Sequence, residues 1–155
     1  MIEEMYQYKE CGLDNIYLAN GYRPTWGSRG TTVAIEDIEG LHRAIGEHLA
    51  RARKYLDGRE ARFLRQEMGL SQSSLALLLG KDEQSIARWE KKRLADQDKI
   101  PPDSERMIRF LYLEFIGDDT SMKEFLQSLA ELEEIDSNVT SFSETETGWE
   151  PAAAA

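Results

Sequence analysis

The spacing of apolar residues changes period near Ile38, and this change splits the predicted fold in two. Before it, Ile16 and Leu18 alternate with Tyr17 and Ala19, and Val33 and Ile35 fall two apart, the period of a strand. Asn20-Gly21 and the stretch from Gly27 to Gly30 supply residues that tolerate positive φ. Residues 6–38 therefore read as a β-hairpin or small β-meander, with Tyr6, Tyr8 and Tyr17 available for a small core. From Ile38 onward, Leu41, Ile45, Leu49 and Ala52 recur at helical spacing, with Arg43, Glu47, Arg51 and Arg53 on the other faces. That pattern predicts an amphipathic helix of about 15 residues, with Asp57-Gly58 as the break after it.

Shorter helical segments follow. Arg59–Met68 places Ala61, Leu64 and Met68 on one stripe with Phe63 beside it. Ser71–Leu79 opens on a serine N-cap and stops at Gly80; Asp82–Lys92 opens on an aspartate N-cap and sets Ile86 and Trp89 on one side. After a polar loop to Pro101-Pro102, Asp103–Ile116 is expected to turn Met107, Ile108, Leu111 and Phe115 inward. Ser121–Glu134 is a last amphipathic stretch carrying Phe125, Leu126, Leu129 and Leu132. From about Asp136 the chain is rich in Ser, Thr and Glu and reads as a disordered acidic tail. The expected organisation is thus 1–57, a β-rich unit plus one long helix; 58–117, a helical domain; 118–135, a C-terminal helix; and 136–155, the tail. The fold class is mostly α with a small N-terminal β unit.

Composition narrows the function classes. The 155 residues are 41% hydrophobic, enough for a packed core, and no apolar run approaches a bilayer's thickness. Met1-Ile2-Glu3-Glu4 is acidic where a secretory signal would be basic and then apolar. A single cysteine, Cys11, permits no internal disulfide, so a soluble, cytoplasmic protein is expected, with no membrane partner. The net charge of −10 is distributed unevenly: residues 59–93 carry eight Lys/Arg against five Asp/Glu, whereas 114–155 carry one lysine against eleven carboxylates. Binding to a polyanion depends on the field of the face presented, not on the total.

The most informative stretch is Leu70–Glu90. Ser71 caps one helix, and Ala76 is small enough for a second to cross closely. Gly80 can take the positive φ of a tight interhelical turn, and Asp82 caps the next helix. Two short helices joined so closely cross steeply, and the second projects its first turn outward with its polar face accessible, the geometry needed to enter a major groove.

These residues resemble the helix-turn-helix of lambda-repressor-like (XRE) regulators. The resemblance rests on Leu70, Ser71, Gln72, Leu75, Ala76, Leu79, Gly80, Ile86, Arg88, Trp89 and Glu90. It departs from the pattern at Lys81, where an apolar residue is usual, and at Lys92-Arg93, where a glycine is usual. With less specificity, Tyr8–Tyr22, Ile38–His42 and Arg62–Arg65 resemble the MqsA-type antitoxin and YiaG-like regulator group, in which a small β-rich unit precedes the XRE domain. Only Cys11 remains of the zinc-binding cysteines of that group, so a β unit of that shape would be held by apolar packing.

The resemblance implies that Glu83, Gln84, Ser85 and Arg88 read bases, with Gln84 suited to adenine and Arg88 to guanine. Ser71, Gln72, Lys81, Lys91, Lys92 and Arg93 are the expected phosphate contacts, and Arg62 and Arg65 are further candidates, with surface ion pairs as the alternative for both. The implied partner is a palindromic double-stranded operator bound by a homodimer, with a toxin protein as a possible second partner. The competing reading is a protein-interaction module that neutralises a toxin and uses the helix-turn-helix as scaffold. In either reading the acidic tail is a candidate DNA mimic, able to cover the recognition helix in cis. No enzyme, cofactor or metal is expected. His42 and His48 lie about 240° apart around one helix, Cys11 has no evident base, and no phosphate-binding glycine loop occurs.

Overall fold

The computed structural model describes residues 5–91, 93, 100–132 and 139–152. The chain forms two compact units, residues 1–45 with 137–155, and residues 46–136; the division falls within the helix α1 (Ile38–Arg51).

The first unit holds two sheets. Strands β1 (Tyr6–Gln7), β2 (Ile16–Leu18), β5 (Thr140–Thr145) and β6 (Gly148–Pro151) form a four-stranded sheet in the order β1-β2-β5-β6. The pair β1/β2 is antiparallel, β2/β5 is parallel with Ile16 opposite Thr140 and Leu18 opposite Phe142, and β5/β6 is antiparallel. Strands β3 (Tyr22–Gly27) and β4 (Gly30–Ile35) form a separate two-stranded ribbon. The expected hairpin is present, but the sheet is not a meander, because its second half comes from the far end of the chain. The expectation of a disordered tail from Asp136 is therefore corrected over residues 139–152, while 136–138 and 153–155 lie outside the described residues. Phe142 and Trp149 are buried at 0% and 7% exposure, and two large aromatics on short strands anchor a segment whose mean composition looks like coil.

The core of this unit consists of Tyr8, Leu13, Ile16, Leu18, Leu41, Ile45, Phe142 and Trp149. The amide of Asn20 extends the ladder: its Nδ2 donates to the Glu144 carbonyl at 3.2 Å, and its Oδ1 accepts from the Glu144 N–H at 2.6 Å. Gly21 has φ +73°, and a Cβ there would stand 2.5 Å from the ring of Trp149, so both the backbone and the indole require glycine. That indole donates to the Glu36 carbonyl at 3.0 Å. The Tyr8 hydroxyl meets His42 Nε2 at 2.7 Å and ties α1 to the sheet.

The second unit is helical: α2 (Gly58–Glu67), α3 (Gln72–Leu79), α4 (Glu83–Glu90), α5 (Pro102–Phe115) and α6 (Met122–Ala130). Asp57 caps α2 in a reciprocal capping box with Glu60. Gly58, expected as a break, lies inside the first turn of α2. A Cβ there would stand 2.4 Å from the Trp89 carbonyl oxygen, so glycine is required by the close approach of α2 to α4 rather than by a turn. On α5 the inward stripe also differs from expectation. Ile108, Arg109, Tyr112 and Leu113 are buried, whereas Met107 and Phe115 are exposed. A buried arginine moved the apparent apolar stripe by one position.

Arg109 is fully buried. Its Nε donates to Glu105 Oε1 at 2.9 Å, NH1 donates to the Leu49 carbonyl at 3.3 Å and to that of Arg53, and NH2 to the Lys54 carbonyl at 3.1 Å. These carbonyls belong to the last turn of α1 and the loop after it, where backbone acceptors lack helical partners. A cation at that end also complements the helix dipole.

On α1, burial, aided by the Arg53 charge, lowers the His48 pKa from 6.5 to about 4. The unfolded chain protonates His48 below about 6.5, and the folded chain does so only near 4. Between those values the unfolded state binds more protons, so stability rises with pH. The unfolding free energy of the full chain, measured by urea titration, is expected to fall from pH 7.5 to 5. His48→Gln should flatten part of that fall, and an unchanged slope would contradict the assignment.

Among the described residues there is no group of three or more potential metal-ligating side chains, and no helix long and apolar enough to cross a membrane.

Candidate nucleic-acid interface

The site is built from two caps and one turn. Ser71 Oγ accepts from the Ser74 N–H at 3.0 Å and starts α3. At its end Gly80 adopts φ +68°, and the Lys81 N–H reaches back to the Ala76 carbonyl at 2.9 Å. Asp82 Oδ1 accepts from the Ser85 N–H at 2.8 Å and starts α4 only two residues later. The two hydrogen bonds from Ser85, backbone first, hold the Asp82 carboxyl below its ordinary range. A helix, a left-handed glycine and a capped helix in immediate succession make the tight interhelical turn expected from the sequence.

Leu75, Ala76, Ile86 and Trp89 are buried and fix the inner faces of α3 and α4. Opposite them, Glu83, Gln84 and Arg88 are exposed, and Ser85 is half-buried beside its cap. Gln84 and Arg88 are four apart and lie one above the other on the same outer face. Lys81, Lys91 and Arg93 are exposed at the two ends of α4, as is Ser71 at the start of α3. Lys92 lies outside the described residues, as does most of the loop before Pro101.

Two expected phosphate contacts are otherwise engaged. Arg65 is buried and forms a two-toothed pair with Glu90, Nε to Oε2 at 2.6 Å and NH2 to Oε1 at 2.9 Å, while NH1 donates to the Leu70 carbonyl at 2.9 Å. Its candidacy for phosphate is corrected on that ground, whereas Arg62 remains exposed. Gln72 is half-buried and donates from Nε2 to Glu90 Oε1 at 3.1 Å. Glu90 thus ties the C-terminal end of α4 to α2 and to the start of α3. The sequence shows Arg65 and Glu90 25 residues apart, with nothing local to pair them. The only available signal was a carboxylate following the inward-facing Trp89.

Residues 62–100 match the family described as Helix-turn-helix. The match begins on α2, takes in α3, the Gly80 turn and α4, and ends just before α5. It supports a DNA-binding helix-turn-helix over these residues. It leaves outside it residues 8–22 and 38–42, on which the MqsA-type resemblance mainly rests. No curated protein and no solved structure matches the chain.

Proposed function

We propose that this chain is a sequence-specific transcriptional regulator, a repressor that acts as a homodimer on a palindromic operator with α4 in the major groove. One observation carries the reading: α4 is pinned from beneath by Ile86 and Trp89 while Glu83, Gln84 and Arg88 stand exposed on its outer side. Gln84 has the donor–acceptor pair that matches adenine N6 and N7, and Arg88 the fork that matches guanine O6 and N7. Glu83 suits cytosine N4, and Ser85 lets the backbone approach. Ser71, Lys81, Lys91 and Arg93 take phosphates around this core, and the amide of Gln72 sits where α3 begins. One short helix covers few bases, and two-fold pairing on half-sites about one helical turn apart supplies the rest of the specificity. The finer reading, an antitoxin repressing its own operon, is supported by the resemblance of residues 8–22 and 38–42.

Selection of bound duplexes from random DNA is expected to return a two-fold symmetric consensus. On that duplex, Gln84→Ala with Arg88→Ala should lose about 2–6 kcal/mol of specific binding, from about 1–3 kcal/mol per base-reading pair. Both side chains are exposed, so the fold should be intact by circular dichroism. Parent-like affinity of the double variant would refute the assignment of α4.

A further inference from the structure

The β3–β4 ribbon is set apart from the rest of the first unit by exposure and by charge. Every residue from Arg23 to Thr32 is exposed, on both faces of the ribbon. At its end Gly27 pairs with Gly30 around the two-residue tip Ser28-Arg29, and Trp26, opposite Thr31, is 83% exposed. Residues 21–35 carry Arg23 and Arg29 and no carboxylate, in a chain whose net charge is −10. The neighbouring Glu36 lies 3.5 Å from Arg23, but both side chains are more than half exposed, so this pair is weak and leaves the guanidinium in water. Thr25, Thr31 and Thr32 add exposed hydroxyls.

We propose that this ribbon is a second contact with duplex DNA. Arg23 and Arg29 bind phosphates, and Trp26 lies against sugar and base edges in a groove. A two-stranded antiparallel ribbon fits the major groove. Exposed cations, hydroxyls and one aromatic, without acidic residues, match the chemistry of a phosphate backbone. Pro24 removes a hydrogen-bond donor from β3, which disfavours addition of another protein's strand along that edge. The inference rests on the DNA-binding reading of α4 and adds a surface that the helix-turn-helix match does not include.

The test uses the full chain and a duplex selected by the parent, with flanks of random sequence. Each phosphate contact contributes a slope of about −0.9 in log K against log salt. Arg23→Ala with Arg29→Ala should therefore reduce the slope by about 2, and at 0.1 M salt should weaken binding by about tenfold per arginine. Trp89 and Trp149 are buried, so acrylamide quenches chiefly Trp26. DNA should protect that fluorescence, and Trp26→Phe should abolish the protected component. Unchanged affinity, slope and quenching would overturn the proposal. So would ribbon variants that bind DNA normally but shift the sedimentation of the free protein, which would make the ribbon a protein contact. The two readings fail separately: parent-like binding by the Gln84, Arg88 double variant removes α4 as reader and leaves the ribbon, whereas a parent that binds no duplex removes both.

Discussion

Truncation after Asp136 is expected to unfold the β unit rather than to remove an inert tail. The deleted segment contains β5 and β6, half of the four-stranded sheet, with Phe142 and Trp149 from its core. Removing a buried phenylalanine or tryptophan side chain costs about 3–5 kcal/mol, and both are lost together. The total of about 6–10 kcal/mol is comparable with the whole stability of a small domain. Backbone groups are stranded as well. The Ala19 N–H donates to the Phe142 carbonyl at 2.8 Å, and the Asn15 carbonyl accepts from the Thr140 N–H at 3.0 Å. The measurement is limited proteolysis with far-ultraviolet circular dichroism. Cleavage within residues 5–45 and loss of strand signal are expected, while the helical signal of residues 46–136 persists. A truncated chain that resists cleavage there would show the sheet to be dispensable. Full-length Phe142→Ala should give the same result in milder form. The idea of a tail free to mimic DNA loses its basis over 140–151, which the sheet already holds.

What the sequence made legible follows the range of the interactions. Helix starts and stops came from residues acting on their own neighbours. Ser71 and Asp82 cap the helices predicted for them, and Gly80 takes the left-handed turn. The outward positions Glu83, Gln84 and Arg88 followed from the inward Ile86 and Trp89, because the period of a helix fixes one face once the other is known. Illegible were the pairings across long stretches of chain. The parallel pairing of β2 with β5 joins residues more than a hundred positions apart and leaves no local pattern. Arg109 was hidden for a different reason. A charged residue at an inward position reads as surface, and only the uncapped carbonyls of α1 explain why it is buried. Arg65 and Glu90 combine both difficulties.

Glu90→Ala is expected to destabilise the helical unit by about 3–5 kcal/mol, because it leaves the buried Arg65 guanidinium without its counter-charge. Both side chains are no more than 10% exposed, so solvent screens the pair little. The loss does not measure what the pair contributes to stability, since desolvating two ions offsets much of their attraction. Arg65→Met with Glu90→Leu should therefore recover most of the loss in urea unfolding. A double variant as unstable as Glu90→Ala would mean that the ion pair, not its burial, sets the energy. DNA affinity separates stability from positioning. Glu90 also accepts from Gln72 at 3.1 Å and is the only group among these that touches α2, α3 and α4 together. The apolar double variant keeps the packing but loses that three-way tie. It should thus be nearly as stable as the parent, yet bind the selected duplex more weakly and, if the proposed reading of α4 holds, lose more at the bases assigned to Arg88, nearest the untied end, than at those assigned to Gln84. Uniform weakening at every position would instead assign Glu90 to holding the unit together, with no part in aiming α4.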